Sequence, residues 1–291
     1  MFPFHLPSCI PDKPYMIVLG TSHINGDCSN EAEGVVQETA YQRIAKEVGL
    51  EIVNIGLSGC TNEDLLQATN ELAYNGYLNP LCKLFVLEPR INTTAVYIPT
   101  EIVSGEPETP EYVSIIEGWG RTRDGNTVAG TCTRQRMSCQ VKVVPVNEMK
   151  AQSWWQAGKT ITPAAAAAME YFANYLETNQ HILDNLIIID AINNIVQSNN
   201  IKFRWQFFDY DKPLETLKNV YNTNTNIWDN FMNIFGWEVK KETGMNWIDD
   251  GVGNKVLNPY FCDCYHLSAL GHDKWYEDTI PYIKKALENN H

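Results

Sequence analysis

Apolar and polar positions alternate between two regimes along the first third of the chain. Residues 14–22, PYMIVLGTS, form a short apolar run that stops at Gly20, which predicts a buried strand followed by a tight turn. Over residues 31–49 the apolar positions fall at Val35, Ala40, Ile44 and Val48, a helical spacing. Residues 50–59, LEIVNIGLSG, predict a second strand. Residues 62–77 predict a helix whose start is capped by Thr61 or Asn62. CKLFVLEP, residues 82–89, is a third apolar strand that breaks at Pro89. Apolar strands separated by helices of this length predict a parallel sheet covered on both faces.

The pattern then lapses. From about residue 98 to 161 no period holds, and Gly, Pro, Thr and paired aromatics dominate, with a β-hairpin expected within 131–146. This stretch reads as an insertion or lid after the third strand, because its apolar content is too thin for a core of its own. Long loops inside compact domains commonly carry function. Trp119, Trp154 and Trp155 either line a substrate cleft or pack the insertion onto the sheet. Regularity returns at 163–200, as two helices or one bent one, and IKFRWQFFDYD (201–211) predicts a fourth strand. Residues 212–258 read as mixed, with short helices, and a final helix follows His266. The expected fold is a single three-layer α/β/α domain over 1–291.

Composition narrows the partners. A formal net charge of −13 without a Lys/Arg cluster excludes nucleic acid as the expected partner, since phosphate binding needs concentrated cations. No run approaches the roughly 20 apolar residues that cross a bilayer. The first twenty residues lack a basic region followed by a long apolar core, so no signal peptide is expected, which is in keeping with a cytoplasmic location. The eight cysteines are therefore expected to be thiols.

Ligands of open parallel α/β sheets bind at the carboxyl ends of the strands, so the turns after them are where chemistry is expected. The first carries Ser22 in Gly-Thr-Ser, the second Asn54 and Ser58-Gly59-Cys60-Thr61, the third Glu88-Pro89-Arg90-Ile91-Asn92. Near the C-terminus stands Cys262-Asp263-Cys264-Tyr265-His266. A serine hydroxyl needs a base to take its proton, and a histidine oriented by a carboxylate supplies one. Ser22, His266 and Asp263 fit those roles, and the Ser22 and Gly59 N–H groups are the candidate oxyanion donors. The two cysteines and His266 also offer metal ligands, but a structural zinc wants four, and no second Cys/His pair lies nearby in sequence. No metal or cofactor is expected; the state of Cys28, Cys60, Cys262 and Cys264 stays open.

Taken in order, these blocks resemble those of the SGNH (GDSL-type) hydrolase superfamily. Gly20-Thr21-Ser22 stands where that family has Gly-Asp-Ser, Asn54 with Ser58-Gly59 matches its second block, and Asp263-x-x-His266 its last. The resemblance implies a mostly parallel, flavodoxin-like sheet and a serine esterase working through an acyl-enzyme on a small-molecule or glycan ester, carbohydrate O-acetyl groups among them. It also implies a third oxyanion donor from a side-chain amide. Here the chain departs from the family's Gly-x-Asn-Asp: Asn92 supplies that amide if the turn is lengthened, with the Arg90 guanidinium as the alternative. The altered block and Asn-rich composition also resemble virus-encoded members. That likeness implies a second reading, a weak or inactive binding or assembly protein, virion-associated as such members can be, contacting a protein partner through the insertion.

Overall fold

The computed structural model describes residues 6, 9–26, 38–57, 60, 62–89, 179–208, 214–221, 227–235, 247–249, 255–257, 259–260 and 267–288. The insertion expected at 98–161, and the hairpin within it, lie outside these residues.

Five strands form one sheet: β1 (Tyr15–Thr21), β2 (Glu51–Leu57), β3 (Cys82–Leu87), β4 (Lys202–Phe208) and β5 (Phe231–Phe235). Their order is β2-β1-β3-β4-β5 and every pairing is parallel. This is the doubly wound, flavodoxin-like order, in which the direction of winding reverses between β1 and β3. The expected α/β class is therefore observed.

Residue alternation explains why both faces are covered. Tyr15, Ile17 and Leu19 of β1, Phe85 and Leu87 of β3, and Phe203, Trp205 and Phe207 of β4 enter one core. That core is completed by α3 (Asn62–Tyr74) and α4 (Asn179–Ser198). Met16, Val18, Leu84 and Val86 enter the other, against α2 (Ala40–Glu47) and the C-terminal α6 (Ala269–Glu288). A strand buried on both faces needs no polar alternation, hence the continuous apolar runs of the sequence.

The helices are started and stopped by local chemistry. Thr39 opens α2 with a capping box: its hydroxyl accepts from the Gln42 N–H (3.3 Å) while Gln42 Oε1 accepts from the Thr39 N–H (2.7 Å). The helix expected over 31–49 thus begins at Ala40 among the described residues, and 31–37 lie outside them. Gly49, Gly76 and Asn200 take left-handed backbone (φ 71°, 77° and 58°) just after α2, α3 and α4. In each case the next residue's N–H reaches back five positions, as in Leu50 to Ala45, Tyr77 to Leu72 and Ile201 to Val196. These are Schellman stops, and they turn each helix straight toward its following strand. They also end α3 at Tyr74, short of the expected residue 77.

Residues 212–258 differ from the expectation of mixed structure with short helices. Among the described residues there is one short helix, α5 (Leu214–Val220), but also β5 and an antiparallel pair, β6 (Trp247–Asp249) with β7 (Lys255–Leu257). β5 escaped because it is only five residues long, with Asn233 splitting its apolar residues into two pairs within an Asn-rich stretch.

Gly271, in the first turn of α6, lies against the turn at 259–260. A Cβ there would stand 2.2 Å from the Tyr260 carbonyl oxygen, and backbone cannot give way as a side-chain end can. Gly271→Ala is expected to lower stability by about 1–3 kcal/mol, read as a lower urea midpoint. An unchanged midpoint would show that this contact is looser than the structure has it.

Candidate active site

The carboxyl ends of β1 and β3 meet at the point where the winding reverses, the preferred ligand crevice of such sheets. Leu19 pairs with Leu87, and the Glu88 N–H extends the ladder to the Leu19 carbonyl (2.9 Å), so Glu88 stands beside Gly20. Ser22 is the first residue of α1 (Ser22–Asn25), a single helical turn entered directly from β1 and closed by Gly26 at φ 72°. This short helix is new relative to the sequence reading, which ended the strand in a turn.

Three elements hold that turn. From β3, the fully buried Glu88 accepts through Oε2 from both the Thr21 N–H and the Thr21 hydroxyl, each at 2.7 Å. From β2, the Asn54 side-chain amide donates to the Ile24 carbonyl inside α1 (2.9 Å). Ahead of α3, the buried Cys60 thiol faces the Gly20 carbonyl at 3.7 Å. Gly20 permits this crowding: a Cβ there would lie 2.7 Å from Glu88 Cβ and Oε2 and 2.4 Å from Ile24 Cδ1.

Polar groups continue under this corner. Gln206 Nε2 donates to the Tyr41 hydroxyl (2.7 Å), and the Thr279 hydroxyl donates to Gln206 Oε1 (3.2 Å). Burial, and secondarily the Glu88 carboxyl, hold the Tyr41 hydroxyl well above the usual tyrosine range, so it stays a neutral phenol. His272 is buried; its Nδ1 accepts from the Ala40 N–H (3.3 Å) and its ring stacks on Trp275. That bond joins the first turn of α6 to the first turn of α2. An Arg43–Asp273 ion pair and the Glu47 contacts to Tyr276 and Lys284 continue the seam. Since α2 precedes a parallel strand, its start points toward the edge where β1 ends, and α6 starts there with it. His272 is thus packed between the starts of α2 and α6.

Of the residues singled out in the sequence, Ser22 has its backbone place fixed at the end of β1, an interior strand of the sheet. Gly59, Arg90, Asn92, Asp263 and His266 lie outside the described residues, as do Cys28, Cys262 and Cys264. The described chain stops just short of each: β2 ends at Leu57, the β3 exit is described to Pro89, and the described chain resumes at Leu267 after His266. Among the described residues no three His, Cys, Asp or Glu side chains gather as a metal-holding group. Among them, too, no helix is long and apolar enough to cross a membrane. The residue that sequence reasoning passed over is Glu88, noted only as a departure from a motif. Its signal was an acid closing an otherwise apolar strand beside a strand that ends in glycine.

Burial also sorts the thiols. Desolvation pushes Cys82 up to about 12, and Cys60 is buried, whereas Cys9 is exposed. Because the thiolate is the reactive form, a disulfide reagent at pH 8 is expected to modify Cys9 and spare Cys60 and Cys82 until the protein unfolds. Peptide mapping checks this; native-state modification of Cys82 would contradict the packing around it.

No protein-family model matches the chain, and no curated protein matches it. Solved structures do. TesA is 13% identical, with 94% of this chain and 99% of that chain covered at a TM-score of 0.42. The psychrotrophic esterase EstA from Pseudoalteromonas sp., inhibited by monoethylphosphonate, is 11% identical, with 95% and 100% covered at 0.44. A family 3 carbohydrate esterase from Clostridium thermocellum is 12% identical, with 94% and 98% covered at 0.38. At TM-scores below 0.5 these likenesses decide nothing about chemistry. The functional reading rests on the chain's own residues.

Proposed function

We propose that the protein is a serine hydrolase of carboxylic esters. The observation that carries this reading is the place of Ser22: it begins a helical turn at the carboxyl end of β1, beside the β1/β3 winding reversal, on backbone tied from β2 and β3. In sequence, the blocks after β1, after β2 and before α6 support it in the same order.

In this reading Ser22 Oγ attacks the ester carbonyl as His266 takes its proton, and Asp263 orients the imidazole and stabilises the imidazolium. The Ser22 and Gly59 N–H groups stabilise the oxyanion, with the Asn92 amide as third donor, or the Arg90 guanidinium in its place. The intermediate expels the alcohol, which receives the proton from His266. Water, deprotonated by the same imidazole, then hydrolyses the acyl-enzyme. The substrate class is a small-molecule or glycan ester, O-acetylated carbohydrate included.

A panel of p-nitrophenyl and acetylated-sugar esters tests this, with His266→Ala beside the wild type. Hydrolysis of at least one ester, reduced about 10³-fold or more in the variant, is expected. A folded wild type inert across the panel would instead favour a binding protein that keeps the fold, the reading to which the altered third block points.

A further inference from the structure

We propose that Glu88 is a positioning residue for the nucleophile turn, acting on Ser22 through Thr21; the proposal rests on the reading of Ser22 given above. Glu88 is fully buried, and one carboxyl oxygen receives both hydrogen-bond donors of Thr21, the residue immediately before Ser22. A backbone N–H and a side-chain hydroxyl converging on one atom fix both the peptide plane and the side-chain rotamer of Thr21. The β-branched side chain is stiff at that rotamer already. A carboxyl oxygen is a strong acceptor, and both bonds to it here are short, at 2.7 Å.

Neighbouring features suit the same purpose. Gly20 offers no Cβ, so the Glu88 side chain lies directly against the β1 backbone, in space that a methyl group would fill. Glu88 comes straight after β3, with its N–H on the Leu19 carbonyl, so its own backbone is held by the sheet. The far side of α1 is held by Asn54. The clamp therefore runs from the rigid sheet through Glu88 and Thr21 to the first residue of α1. Catalytic groups lose about 10²-fold when displaced by about 1 Å, so a residue that never touches substrate still controls the rate.

Thr21→Val and Thr21→Ser separate this role from a merely structural one. Valine keeps the shape and removes the hydroxyl; serine keeps the hydroxyl and loses a methyl. Positioning predicts a kcat lower by about 10- to 100-fold for Thr21→Val, with KM within about 2-fold. Thr21→Ser should stay within about 3-fold of wild type, and fluorophosphonate labelling rates should follow the same order. A structural role predicts the reverse, because valine suits a buried strand better than serine does. Should Thr21→Val fail to fold, Glu88→Gln against Glu88→Ala makes the same comparison, glutamine restoring rate by keeping an acceptor oxygen. Unchanged kcat in Thr21→Val, equal losses in both Thr21 variants, or a loss carried in KM overturns the proposal. If Ser22→Ala is inactive at the same time, the hydrolase reading stands without it. A folded wild type that neither hydrolyses esters nor takes the probe overturns both.

Discussion

Ser22→Ala is expected to leave a folded protein whose ester hydrolysis falls by about 10⁴- to 10⁶-fold, almost entirely in kcat. The substitution removes a single oxygen, while the backbone it leaves is held by Glu88 through Thr21 and by Asn54 through Ile24. Stability should therefore shift by no more than about 1 kcal/mol. The loss should fall on kcat because the hydroxyl forms its bond to the acyl carbon in the transition state and contributes little to holding the ester beforehand. Parallel assays of turnover and urea unfolding check both halves. Retention of more than about a tenth of the activity would assign the nucleophile elsewhere. Loss of the fold would make Ser22 a structural residue.

The largest expected effect on stability belongs to Trp205, far from that chemistry in role. It is fully buried in β4, with ring centroids of Phe231, Phe207 and Trp228 at 4.8, 4.9 and 5.4 Å. Its indole N–H donates to the Ile227 carbonyl (2.6 Å), fixing the chain just before β5. Trp205→Ala removes the centre of this aromatic group and leaves a buried carbonyl without its donor. A loss of about 3–5 kcal/mol is expected, read as a lower urea midpoint. Trp205→Phe keeps apolar volume but not the N–H, and should fall between. A cost below about 1 kcal/mol for Trp205→Ala would mean that the aromatic group repacks freely.

β1 and β3, which enter the core on both sides, were legible because burial on two faces leaves little room for polar residues: Tyr15–Thr21 is apolar up to Gly20, and Cys82–Leu87 is interrupted only by the exposed Lys83. The edge strand Glu51–Leu57 was legible instead from Ile52, Val53 and Ile55, and all three strands lie within their expected segments. Parallel pairing followed from alternation with helices and the flavodoxin-like arrangement from the family resemblance, but β5 followed from neither. Its five residues, with Asn233 at the centre, leave only two apolar positions on either side, too short a run to separate from the Asn-rich sequence around it. Helix ends were legible only in part: α3 starts at the expected Asn62 but stops at Tyr74, short of residue 77. Thr39 and Gln42 form a capping box by spacing alone, yet the apolar period of 31–49 overran it. At the site, Ser22 was legible as the polar residue in the turn that ends the interior strand β1. The Glu88 clamp was not, because it depends on which residue of β3 falls beside Gly20, a matter of register between strands more than sixty residues apart. The same holds for His272, whose partner Ala40 lies across the chain in α2.

The most direct test of the Ser22 assignment is the site of covalent modification by a fluorophosphonate, mapped by mass spectrometry on the folded protein. The predicted result is one stoichiometric adduct on the peptide carrying Ser22, absent from Ser22→Ala and absent after unfolding. A folded protein that takes no adduct, or takes one on another residue with Ser22 unmodified, would contradict it.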